Sequence, residues 1–171
     1  MRVSSETIID ASADRVWEIV AHQFARIGEW ATAIPASRPS PQAPGVPEAP
    51  VAGRVCATGL PIVRSVEETI VGYDEANRSL TYTGGGLPRF VSDARNRWTV
   101  IAVDDRRARV RVEATIEMRG IIGIVVAVPF RFWAARGGSK TLDDLKHYVE
   151  QGRPSTRKER QLAGSRASSA R

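Results

Sequence analysis

Chemically reactive side chains are scarce in this sequence. It holds one cysteine, Cys56, and two histidines, His22 and His147. A lone cysteine closes no internal disulfide, which fits a reducing compartment. The histidines stand far apart in the chain and have no neighbouring thiols. That argues against a zinc site or a Rieske-type centre, so neither a metal nor a cofactor is expected. No glycine-rich phosphate loop is present. A long apolar run is missing too. Ile121 to Phe130 is the longest, well short of the roughly 20 residues that span a bilayer. The first residues, Met1 to Glu6, lack the apolar core of a signal peptide. The expectation is a cytoplasmic protein with no transmembrane segment.

Charge is present but unevenly placed. The chain carries a net +6. Residues 152–171 hold six basic side chains and one acid, Glu159, so the tail alone contributes 6 − 1 = +5. That tail is rich in Ser, Ala and Gly and has little to bury, so it is expected to be disordered. Residues 1–151 keep about +1, and no nucleic-acid contact is expected from that domain. The basic tail leaves room for one, or for an anionic membrane.

What the sequence does have is alternation. From Arg107 to Met118, Ala108, Val110, Val112, Ala114, Ile116 and Met118 fall on one side, and only polar residues on the other. A period of two marks a strand with one dry face and one wet face, which favours an antiparallel sheet. The dry face needs a cover, and Gly120–Gln151 follows at once.

Residues 2–10 read as a strand. Ser12 is a good N-cap, with Asp14 in the first turn. Val16, Trp17, Ile19, Val20 and Phe24 recur at helical spacing. A second short helix runs over about 25–33. Six prolines between Pro35 and Pro50 predict a long loop without ladder pairing. Strands follow over 53–58, 63–73, 79–83 and 92–103, with turns at Gly59-Leu60-Pro61, Asp74–Asn77 and Gly84-Gly85-Gly86. In the last segment Phe130, Ala134, Gly138, Leu142, Leu145 and Val149 form one stripe. It predicts a long bent helix with Gly138 close to the sheet and Gly152 as its stop. Ile121–Val128 is β-branched, which disfavours helix. An alternative makes that stretch a dimer or membrane-contact surface.

Several stretches carry a family likeness. "ASADRVWEIV" with "RIGEW" follows the first strand, "VGYDEANRSLTY" forms the central hairpin, and "LDDLKHYVE" lies in the last helix. In this order they resemble the START-like (SRPBCC) superfamily, which includes polyketide cyclase/dehydrase-like proteins and plant abscisic acid receptors. "TGLP" at Thr58–Pro61 and "GGGLPR" at Gly84–Arg89 are similar to the receptors' gate and latch. The implied fold is α+β, a helix-grip domain over 1–151. A curved antiparallel sheet of about six or seven strands would wrap around a long C-terminal helix, with two short helices after the first strand. The resemblance also implies a cavity between sheet and helix that takes a small hydrophobic ligand. One departure is Trp30-Ala31-Thr32, where many relatives have His-Pro after the Trp.

Residues expected at such a cavity are Trp30, Glu67, Tyr82, Asn96, Trp98, Val112, Ala114, Phe130, Trp133 and Ala134. Glu67 and Glu68 are adjacent, so only one points inward; the resemblance to the receptors favours Glu67, which becomes the candidate acid or base. Reversed faces would instead put Asp93, Arg95 and Arg97 in the pocket. The preferred function is binding or carrying a lipid, polyketide or isoprenoid-like molecule. The alternative is a polyketide cyclase, aromatase or dehydratase. The protein would act as a monomer or homodimer.

Overall fold

A computed structural model describes residues 1–58 and 63–169; over 121–135 and 166–169 it describes the backbone alone. Strand β1 (Arg2–Ile9) leads into α1 (Ala13–Trp17), a π-helical turn (Glu18–His22) and a 3-10 helix (Phe24–Glu29). Six strands follow: β2 (Ser37–Pro39), β3 (Gly53–Ala57), β4 (Ser65–Asp74), β5 (Ser79–Gly85), β6 (Val91–Asp104) and β7 (Arg107–Met118). Helix α2 (Gly120–Gln151) and helix α3 (Thr156–Ser169) complete the described chain. All strand pairs are antiparallel, in the order β1-β7-β6-β5-β4-β3-β2.

The alternation of β7 is realised in the structure. Ala108 and Val110 are fully buried, while Arg107, Arg109 and Arg111 are exposed. Trp98 and Val100 of β6 share the dry face, and Arg95 and Arg97 lie on the wet one. The reversed-face alternative is therefore not adopted. Ser12 accepts from Arg15 N at 3.3 Å and starts α1. Trp17 is buried; its Nε1 donates to Glu75 at 2.9 Å, and its ring stacks on Tyr73 at 5.7 Å. That pins the first helix to the β4–β5 hairpin.

Helix α2 runs unbroken through Pro129 and Gly137-Gly138, so Ile121–Val128 is helical. Its side chains there lie outside the described residues. Leu142, Leu145 and Val149 are buried, as the stripe predicts. A Cβ at Gly138 would come within 3.2 Å of Ser5 Oγ, which is the close approach to the sheet. Gly152 ends the helix in the left-handed region at φ 67°.

Three expectations need correction. The proline-rich loop is not free of ladder pairing. Ser37–Pro39 pairs with β3, because an edge strand can accept a proline whose missing N–H faces away from its neighbour. Strand β5 does not break at Gly84; it runs through Gly85, and the chain turns at Gly86, φ 78°. The basic tail, expected to be disordered, carries α3, and its Lys158 is fully buried. Composition alone misses this because one polar anchor, not apolar area, holds the helix. The turn at Gly59-Leu60-Pro61, and with it most of the gate-like stretch, lies outside the described residues.

Gly28 fixes where β2 begins. Its N–H donates to Ser37 Oγ at 2.8 Å, and that hydroxyl donates on to Ala25 O at 2.7 Å. A Cβ at Gly28 would sit 2.5 Å from Ser37 N and 2.8 Å from Ala36 C, both backbone atoms. Gly28→Ala is therefore expected to destabilise by about 1–3 kcal/mol or more, since neither strand nor helix can yield freely. Urea denaturation measures it; a loss below about 0.5 kcal/mol would show that the crossing relaxes.

Candidate functional site

The sheet curves around α2 and leaves a cavity of about 310 Å³ between its concave face and the helix. Tyr82, Asn96, Trp98, Val112 and Ala114 all lie in its wall, drawn from β5, β6 and β7. Gly137, Gly138 and Thr141 close the helix side. Ile27 and Ile34 contribute from the 3-10 helix and the segment after it. Ala114 and Gly137 are where the space opens, while Gly138 packs closely on Ser5.

Not every expected residue is there. Trp30 is buried, and its ring stacks on Tyr148 at 6.4 Å, outside the cavity wall. Its Nε1 has no hydrogen-bond partner among the described residues. Trp30 borders a separate void of about 10 Å³ shared with Arg54 and Trp98, room for at most one water. Phe130, Trp133 and Ala134 belong to the part of α2 whose side chains lie outside the described residues.

Glu67 is the main correction. It faces away from the cavity, and Ser40 donates its hydroxyl to it. Glu68 is the carboxylate in the wall. The cause is a bulge between Ile70 and Gly72 in β4. Ile70 is fully buried and Tyr73 packs on Trp17, so two inward residues are three apart, with Val71 squeezed outward. Strict alternation back from Tyr73 would turn Glu67 inward; the bulge reverses the parity.

Glu68 does not stand alone. Directly opposite it on β3 is Arg54, 3% exposed. Arg54 Nε donates to Glu68 Oε2 at 2.5 Å, and Nη1 donates to Phe24 O at 2.7 Å. The guanidinium lies over the Phe24 ring, 3.8 Å from its centre, with the Tyr82 ring at 5.2 Å. Cys56 Sγ donates to the same Glu68 oxygen at 3.6 Å. Burial works against the charge on Arg54, but Glu68 beside it prevails and holds the guanidinium above its ordinary range. Burial pushes the Cys56 thiol up to about 12, with Glu68 adding to the rise. A thiol so held is protonated at neutral pH and is no nucleophile. Tyr82 is likewise raised by burial, then by Glu68, and its hydroxyl accepts from Trp98 Nε1 at 3.4 Å.

The wall thus contains one ion pair in otherwise mainly apolar surroundings. Two polar groups retain capacity. Among the described residues Arg54 Nη2 has no hydrogen-bond partner, and neither does the Asn96 side-chain amide. No group of described residues has the makings of a metal site. No helix among them is long and apolar enough to cross a membrane.

A curved seven-stranded antiparallel sheet gripping a long helix, with a cavity between them, defines the START-like helix-grip class. Within it, residues 1–150 match the family model described as polyketide cyclase / dehydrase and lipid transport, and the chain belongs to that family. No curated protein matches the sequence. Among solved structures, the chain is similar to the di-domain ARO/CYC BexL from the BE-7585A biosynthetic pathway. That match has a TM-score of 0.66 at 19% identity and covers 88% of this chain and 46% of BexL. Norcoclaurine synthase of Thalictrum flavum gives 0.65 at 11%, covering 89% and 95%. A START superfamily protein of Mycobacterium smegmatis gives 0.59 at 13%, covering 88% and 97%. These likenesses are of fold.

Proposed function

We propose that the protein binds and carries a small hydrophobic molecule with one or two oxygen atoms, of the lipid, polyketide or isoprenoid kind, in the cytoplasm. The observation that carries this reading is the composition of the cavity wall. It is mainly apolar, with an ion pair whose charges are already spent on each other and a few neutral polar groups, Asn96 among them. An apolar body suits the walls, and an acceptor oxygen suits Arg54 Nη2 or the Asn96 amide. The carboxylate in the wall is held by Arg54 and Cys56, and the thiol is protonated. That supports a carrier over a cyclase. A cyclase reading depends on Glu68, not Glu67.

Native mass spectrometry of the purified full chain tests the reading. A retained small molecule, lost on denaturation and identified in the extract, is the expected result. A fluorescent naphthyl methyl ketone serves as a surrogate where the natural ligand has been stripped. Turnover of any bound polyketide that disappears in Glu68→Gln would replace the carrier reading by the enzyme.

A further inference from the structure

Helix α3 is polar, yet it is docked. The side chain it buries completely is Lys158, at 0% exposure. Lys158 Nζ donates to Ile34 O at 2.6 Å and Pro35 O at 3.4 Å, and to Gln161 Oε1 of its own helix at 2.9 Å. Those two carbonyls belong to the segment joining the 3-10 helix to β2, and Ile34 is part of the cavity wall. Helix α2 holds the same segment two residues earlier. There Asp144 Oδ2 accepts from Thr32 N at 2.7 Å and from Thr32 Oγ1 at 2.6 Å. This stretch beside the cavity wall, here called the rim, is gripped by α2 at Thr32 and by α3 at Ile34–Pro35.

We propose that α3 is a strap over the cavity rim, fastened by Lys158, and that ligand exchange requires this fastening to open. The inference rests on the carrier reading only in that the cavity must accept a small apolar molecule. Arg157 and Arg160 are exposed and Leu162 is only half-buried, so little else in the helix resists its lifting. Elements held by few buried contacts open locally long before the whole domain unfolds.

The anchor has a defined response to pH. Asp144 on α2 is the charged group that acts on Lys158; the rim segment offers carbonyls and α3 offers Gln161. Burial draws the docked amine down to about 8, with Asp144 opposing, from an ordinary 10.5. The docked helix therefore sheds its proton before the lifted one does. Docking is weakest below pH 8 and strengthens as pH rises from about 8 towards 10.5. A neutral amine still donates to the carbonyls.

The test compares wild type with Lys158→Glu and with a chain ending at Gly152. Two rates are read: release of the naphthyl methyl ketone by stopped-flow fluorescence, and amide hydrogen exchange over residues 31–36. The glutamate would face two carbonyl oxygens and eject the helix. Both rates are expected to rise on the order of tenfold or more in both variants. Wild-type release should slow between pH 8 and 10. Rates within about twofold of wild type in the shortened chain would overturn the strap. A fast shortened chain beside an unchanged Lys158→Glu would overturn Lys158 as the fastening. If wild type binds no ketone, the carrier reading fails, while hydrogen exchange still decides the strap.

Discussion

Replacing Arg54 by Met is expected to lower the melting temperature by roughly 6–20 °C. The change leaves the Glu68 carboxylate in a cavity wall with its cation gone. Breaking a buried pair from one side costs about 3–5 kcal/mol. In a chain of this size each kcal/mol moves the midpoint by roughly 2–4 °C. Phe24 also loses the guanidinium stacked on its ring, and its carbonyl loses a donor. The double change Arg54→Met with Glu68→Leu should recover most of the loss, because an apolar pair of similar volume is often neutral or better. Thermal denaturation of the three proteins forms the cycle. Equal melting temperatures for the single and double variants would mean that Arg54 and Glu68 are not one unit.

Ala114→Trp is expected to abolish binding of the naphthyl ketone while keeping the melting temperature within a few degrees of wild type. Ala114 lies in the cavity wall and is only half-buried, across from Asn96 on β6 and Val3 on β1. An indole there has open volume to occupy. In a filled core the same change would overpack and cost on the order of 1–3 kcal/mol or more. Fluorescence titration and calorimetry on the same samples give both readings. A severely destabilised variant, with no binding by wild type, would remove the cavity as a site.

The parts of the fold legible in the sequence are those where one residue type repeats at one period. Strand β7 alternates over its whole length, which puts Val112 and Ala114 on its dry face. The same logic on β6 placed Asn96 and Trp98. The stripe ending in Leu142, Leu145 and Val149 gave the buried face of α2. What could not be read depended on contacts between distant residues. The parity of Glu67 and Glu68 turns on a bulge at Val71, and no residue there announces it. Nothing in the five-residue strand Gly53–Ala57 marks Arg54 as inward-facing. Its signal is the carboxylate opposite it, which becomes visible only once β3 and β4 are in register. Trp30 is expected at the cavity, but the ring it stacks on, Tyr148, lies more than a hundred residues away in the chain. The composition of the tail speaks only of how little it can bury and does not register a single amine meeting two carbonyls.

The shortness of β2 has a consequence for how copies of this chain behave when crowded. An open sheet edge is a template on which another strand can polymerise. Here the outermost strand on that side is Ser37–Pro39, three residues long, and its last residue has no N–H to give. The prolines on either side keep the flanking chain from extending the ladder. During refolding at high concentration, this border of the sheet offers a neighbouring molecule almost no run of hydrogen bonds to propagate. The segment that looks like a defect in the sheet acts as its guard against fibrous growth.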